Sequence, residues 1–133
     1  MNKVLIEKEL GAMPSITEME VADILVINKI PEKSVKFLRP SRKKGTKTPD
    51  LLIDNSAYWE IKSLEKLGKY TLERALRVGL MQANNIIVDL RKLTITLEKK
   101  ATIAIKKEFI KRKNWNGLVI VVRPDGKCLT FKK

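Results

Sequence analysis

Two carboxylates and a lysine fall close together near the middle of the chain. They are Asp50, Glu60 and Lys62, in the segments TPDLLID (48–54) and AYWEIKS (57–63). On an extended strand, alternate residues share a face. Leu51, Ile53, Trp59 and Ile61 then occupy one face, and all four are apolar. Asp50, Leu52, Tyr58, Glu60 and Lys62 occupy the other. Matching the faces across a hairpin sets Asp50 opposite Glu60 or Lys62. It also demands an odd-length connection at Asp54–Ala57, either three residues or a bulge. Two carboxylates are hard oxygen ligands for Mg²⁺ or Mn²⁺, and the backbone carbonyl of Ile61 between them is a further candidate ligand. Such a cation makes a bound water more acidic and neutralises charge on a phosphate in transit. Lys62 is suited to position or deprotonate that water and to hold the scissile phosphate. The set fits phosphodiester hydrolysis. Glu-x-Lys by itself is common on a solvated strand face, and Asp is common where a turn meets a strand. The weight lies in the combination with Pro49-Asp50, the apolar opposite face and the charge of the chain.

The composition narrows the chemistry in the same direction. The 133 residues contain no histidine and one cysteine, Cys128. That excludes Ser-His-Asp catalysis, a two-histidine ribonuclease, His-ligated metal sites and an internal disulfide. Any catalysis here is left to carboxylates and lysine, with or without an oxygen-ligated metal. Lys and Arg number 28 against 15 Asp and Glu, a formal charge of +13. Solubility needs much less, so a polyanion is the expected partner, nucleic acid before an acidic protein or anionic membrane. From Leu90 onward 13 basic residues face three acidic ones, which is +10 of the total. A second basic cluster, Arg39, Arg42, Lys43, Lys44 and Lys47, immediately precedes the hairpin. No apolar run approaches the roughly 20 residues of a membrane span, and MNKVLIEKEL lacks the apolar block of a signal peptide.

The elements that must hold the hairpin follow from periodicity. Residues 1–13 read as a loose arm or short helix. Ser15 with Glu18 is a capping box, followed by Ile16, Met19, Ala22, Leu25, Val26 and Ile30 at helical spacing up to Pro31. Val35–Leu38 is a short strand, and 40–48 (PSRKKGTKT) a basic loop. After the hairpin, Thr71 caps a second helix that runs to about Ala83. Gly79 inside it costs roughly 1 kcal/mol relative to Ala, for which close helix–sheet packing is a reason. The run Asn85–Leu90 is a strand buried on both faces. A third helix spans about Leu97–Lys113, with Leu97, Ala101, Ile105 and Phe109 inward and Lys99, Lys100, Lys106, Lys107 and Lys111 outward. Leu118–Val122 and Cys128–Phe131 form a last hairpin across Pro124-Asp125-Gly126. The expected fold is one α/β domain over 1–133, a mixed central sheet flanked by helices, in the order α-β-β-β-α-β-α-β-β.

The sequence T-P-D-L-L-I-D followed by Y-W-E-I-K-S resembles the PD-(D/E)XK nuclease superfamily, and so implies a restriction-endonuclease-like core. Within it the chain is most similar to the C-terminal toxin domains of contact-dependent inhibition systems, the CdiA-type tRNA nucleases. The similarity extends through E-M-E-V-A-D-I-L (18–25), V-K-F-L-R-P (35–40) and A-N-N-I-I-V-D-L-R (83–91), about two-thirds of the chain. The resemblance implies Asp50 and Glu60 as metal ligands and Lys62 as the catalytic lysine. It implies a further carboxylate from the first helix, Glu18 or Glu20. Glu18 lies at the expected offset from Ala22 and Leu25 and is preferred, although completing the capping box competes for the same side chain. Gln82 is a candidate polar residue of the site, weighed against a plain exposed helix position. Arg42, Lys43, Lys44, Lys47, Lys69, Arg74, Gln82 and Lys106 are the candidate nucleic-acid contacts, with Thr71 and Arg77 also on the second helix. By parity Trp59 belongs to the core and Tyr58 to the cleft.

The expected activity is that of a Mg²⁺- or Mn²⁺-dependent nuclease acting on RNA, tRNA in particular, in the cytoplasm of a target cell reached as part of a larger effector. An acidic immunity protein is the expected protein partner. The preference for RNA comes from the resemblance alone. A metal-dependent DNA endonuclease of a mobile element or repair system, and a non-catalytic basic nucleic-acid-binding protein, stay open as alternatives.

Overall fold

The computed structural model describes residues 3–40 and 48–133. Arg42, Lys43, Lys44 and Lys47 of the basic loop lie outside the described residues. The elements are β1 (Leu5–Lys8), α1 (Ile16–Ile27), β2 (Ser34–Phe37), β3 (Leu51–Ile53), β4 (Ala57–Ser63), α2 (Thr71–Leu80), β5 (Asn85–Asp89), α3 (Ile95–Lys111), β6 (Val119–Val122) and β7 (Cys128–Phe131). The strands form one seven-stranded mixed sheet ordered as in the chain. β1–β2, β4–β5 and β5–β6 pair parallel, and the other neighbours pair antiparallel.

Strand alternation builds two cores. On one side of the sheet Leu51, Ile53, Trp59, Ile61, Ile87 and Ile120 pack against Val21, Ala22 and Leu25 of α1. On the other side Ile86, Val88, Val119 and Val121 pack against α2 (Leu72, Leu76) and α3 (Ala101, Ile105, Phe109). β5 and β6 are therefore apolar on both faces, as a central parallel strand must be. Phe109 meets Trp115 edge-on at 4.9 Å, and the Trp115 indole N–H donates to the Asn84 carbonyl. This pins the start of β5 to the α3–β6 turn.

Residues 5–8 overturn the expectation of a loose arm or short helix. They form β1, parallel to β2 in the register Leu5↔Ser34 through Lys8↔Phe37. All four side chains are exposed. Backbone pairing alone makes the strand, and backbone pairing leaves no hydrophobic alternation to read. The element order thus gains a leading strand. The capping box at α1 forms as expected, with Ser15 Oγ accepting from Glu18 N and Glu18 Oε1 accepting from Ser15 N. The expected cap of α2 does not form. Thr71 is the first helical residue, and its hydroxyl instead accepts the N–H of Gly68 at 2.9 Å. The helix ends at Leu80, so Gln82 stands just beyond it.

The β3–β4 hairpin has the register that parity required. Leu51 pairs with Trp59, Leu52 with Tyr58 and Ile53 with Ala57, leaving the odd-length connection Asp54-Asn55-Ser56. Asp54 and Asn55 both adopt φ of 54°, the left-handed region that Asx side chains tolerate best after glycine. The Asp54 carboxylate accepts the N–H groups of Glu32, Lys33 and Ser34. It therefore fastens the hairpin tip to the α1–β2 connection.

Candidate active site

β3 begins at Leu51, so the edge of β4 beside Ile61 has no strand partner. The Asp50 side chain fills that place, its Oδ2 accepting the Ile61 N–H at 2.8 Å. The N–H and C=O of a strand residue point to the same side. The Ile61 carbonyl therefore also points away from β5, towards Asp50. Opposite Asp50 stands Glu60, on the sheet face that carries Ile86 and Val88. The Glu60 side chain is buried, with the residue only 4% exposed. Lys62 Nζ lies 3.4 Å from Glu60 Oε2. The Lys62 side chain runs past Gly79 of α2, where an added Cβ would meet Ile86 Cδ1 at 3.0 Å and Lys62 Cε at 3.6 Å. Gly79 thus lets α2 approach the sheet closely enough to wall the lysine in.

The electrostatics follow from this packing. Burial, and then the neighbouring Asp50 carboxyl, push Glu60 up to about 8, against the pull of Lys62. Burial also raises Asp50, and Glu18 adds to it; the Ile61 N–H, Glu60 and Lys62 oppose the rise. Two close carboxyls that cannot both ionise freely form a site that holds a proton or a cation.

Gln82 is bound into this pair. With its amide oriented to satisfy its neighbours, its NH₂ donates to both Glu60 oxygens at 2.9 and 2.6 Å. The side chain thus stands at the carboxylate pair and not at a plain exposed helix position. Glu18 is corrected in part. Its carboxylate serves the capping box, so it acts on Asp50 only through its charge. Glu20 is drawn to Arg91 at 3.6 Å. Among the described residues no group of three acidic, Cys or His side chains is arranged around a metal position. Lys69, Arg74, Arg77 and Lys106 are exposed, and the described contacts bring none of them to the carboxylate pair. Lys69 lies over the Tyr70 ring at 5.3 Å.

Two supporting residues carry little sequence signal. Asp89, buried at the end of β5, receives Arg91 through Nε and Nη2, each at 2.9 Å. Arg91 Nη2 then reaches the Thr17 carbonyl at 3.4 Å. The pair ties the start of α1 to the end of β5, beside the strand that bears Lys62. An acid ending a buried strand, followed two residues later by Arg, was the only available hint.

Residues 47–127 match the family model of the contact-dependent growth inhibition CdiA C-terminal domain. The chain belongs to this family. The matched segment contains Asp50, Glu60, Lys62 and Gln82 and leaves β1 and Glu18 outside it. A solved structure, the CdiA-CT/CdiI toxin and immunity complex from Burkholderia pseudomallei, is similar in fold to this CdiA C-terminal domain. The TM-score is 0.52, at 16% identity over 97% of this chain and 99% of that one. No curated protein matches the sequence. Membership makes the chain a toxin domain of contact-dependent growth inhibition. Among the described residues, no helix is long and apolar enough to cross a membrane.

Proposed function

We propose that this toxin domain is a divalent-cation-dependent phosphodiesterase of the PD-(D/E)XK type that cleaves RNA, with tRNA the favoured substrate. The observation that carries this reading is the facing pair Asp50 and Glu60 with Lys62 beside it, held in a hairpin register that only an odd-length turn permits.

The donor set fits a hard divalent cation. Asp50 and Glu60 are carboxylates whose mutual proximity favours either a shared proton or a cation, and the Ile61 carbonyl points to the same side. Water and phosphate oxygens would complete the coordination, as Mg²⁺ prefers. When bound, the cation supplies charge neutralisation and a more acidic water. Gln82 holds Glu60 in one rotamer through its two hydrogen bonds. Lys62, 3.4 Å from Glu60, holds the scissile phosphate and takes or gives a proton at Nζ. Arg91 and Asp89 position α1, whose Glu18 adds negative potential near Asp50. The +13 charge supports a polyanionic substrate and an acidic immunity protein as inhibitor. Delivery into a target cell, where tRNA is reached in the cytosol, accords with the family.

The test is direct. The purified chain is incubated with tRNA or plasmid DNA, in Mg²⁺, Mn²⁺ or EDTA, alongside Asp50→Ala and Lys62→Ala. Cleavage of tRNA with either cation, none in EDTA, and a loss of about 10³-fold or more in each variant is expected. Cleavage that ignores EDTA or survives both substitutions overturns the reading, and cleavage of DNA alone reassigns the substrate.

A further inference from the structure

The sheet face that carries Glu60 is only half covered. α2 and α3 pack over it from the Lys62 end of β4 to β7. Towards β2 the same face carries one cross-strand row, Lys36, Leu52 and Tyr58, set by the pairings Lys36↔Leu52 and Leu52↔Tyr58. Lys36 and Leu52 are half-buried, and Tyr58 is 54% exposed. Among the described residues, Leu52 and Tyr58 belong to neither hydrophobic core. Tyr58 instead lines an open cleft of about 800 Å³, together with Pro49, Ser56, Met81, Gln82 and Asn84. Gln82 connects the cleft to the carboxylate pair, because its amide is bound to Glu60.

The ring is exposed, but its backbone is held. The Tyr58 carbonyl accepts Asn85 Nδ2 at 3.0 Å, and Asn85 Oδ1 in turn accepts the Leu118 N–H at 2.9 Å. Tyr58 and Glu60 are two residues apart on one face of β4, roughly 6.6 Å along the strand. That is on the order of one nucleotide step. Lys36, two strands away in the same row, offers a cation about 10 Å across the floor.

We propose that Tyr58 is a stacking platform for the nucleobase adjacent to the phosphate held at Asp50, Glu60 and Lys62, so that the substrate enters the cleft as an unpaired strand. A base within a duplex has both faces covered by its neighbours and presents only an edge to a groove. An aromatic floor beside a phosphate site needs a free base face, which single strands and loops provide. Leu52 extends the apolar floor, and Lys36 takes a neighbouring phosphate. The inference rests on the reading of the hairpin as a phosphate site, but its test reads binding and not cleavage.

The full chain is titrated, in EDTA, with labelled single-stranded RNA and DNA oligonucleotides, the matched duplexes, and strands of the same length that are abasic throughout. Wild type is compared with Tyr58→Phe, Tyr58→Ala and Tyr58→Leu; the last keeps apolar bulk without a ring. Single strands are expected to bind more tightly than duplexes. Tyr58→Ala and Tyr58→Leu should each weaken that binding by about 10- to 100-fold, and Tyr58→Phe by less than about threefold. On the abasic strands all four proteins should agree within about twofold, on RNA and DNA alike. Equal affinity of wild type and Tyr58→Ala, an equal loss on abasic strands, a preference for duplex, or no single-strand binding overturns the proposal. Equal weakening by Phe, Ala and Leu marks a structural role and overturns it too. Tyr58-dependent binding without cleavage in Mg²⁺ sinks the nuclease reading and leaves the stacking platform standing.

Discussion

Glu60 is costly where it sits. A carboxyl only 4% exposed, beside Asp50, keeps its proton to about 8, whereas an ordinary glutamate loses it near 4.5. Between those values the folded state binds more protons than the unfolded one. Stability therefore falls as pH rises through this window and levels off above it. In metal-free protein the urea midpoint of wild type, read against Glu60→Gln, should decline from about pH 5 to 8. The difference should amount to a few kcal/mol by order of magnitude, with the variant the more stable at pH 8. A difference that is flat or grows the other way refutes a buried proton at Glu60. Asp50 is raised as well and adds to the slope with the same sign. A site that is least stable when fully ionised is one prepared for a positive charge.

At the scale of elements, the junction between α2–β5 and α3–β6 leaves no room for a side chain at Gly117. A Cβ built on Gly117 would stand 2.0 Å from the Asn84 carbonyl oxygen and 2.5 Å from its carbon. Both are backbone atoms, so no rotamer change relieves the contact. Gly117→Ala should therefore cost about 3 kcal/mol or more, seen as a lower urea midpoint, with Asn85 and the Trp115–Asn84 hydrogen bond displaced together. Because Asn85 also holds the backbone under Tyr58, single-strand binding should weaken in any Gly117→Ala protein that remains folded. Unchanged stability would mean that the two turns are not in contact. The β3–β4 hairpin was readable at this scale, because alternation over ten residues is a local property. β1 was not, because an exposed edge strand is made by pairing with a partner about 30 residues away.

At the scale of the whole molecule, charge sets the salt dependence to expect of the proposed nucleic-acid substrate. The outward lysines of α3, Lys99, Lys100, Lys106, Lys107 and Lys111, are all exposed, and the chain carries +13. Association with nucleic acid should thus be driven by counterion release. A footprint of roughly six to ten phosphates would lose about 10³–10⁵ in affinity between about 50 and 200 mM salt. A titration series in salt checks this, and a nearly flat dependence would confine the contact to the hairpin and cleft. Lys106→Glu with Lys107→Glu should lower the slope if α3 takes part and leave it unchanged if the helix only solvates the domain. An acidic immunity protein would show the same dependence in its association rate.

The sequence by itself determined the two-faced hairpin, its odd turn, the two-sided burial of β5 and the distribution of charge. Each depends on alternation, helical spacing or composition, and these act within a few residues. Only the tertiary structure decided that Gln82 binds Glu60 and that Asp54 fastens a distant loop. It alone showed that Arg91 ties α1 to β5 and that residues 5–8 complete the sheet. These contacts join segments far apart in the chain, through single polar groups or backbone alone, and neither leaves a periodic trace. Asp50, Glu60 and Lys62 could be placed on one face from their spacing. What surrounds them, and so what raises the Glu60 carboxyl and leaves Tyr58 open, needed the helices to be set in place.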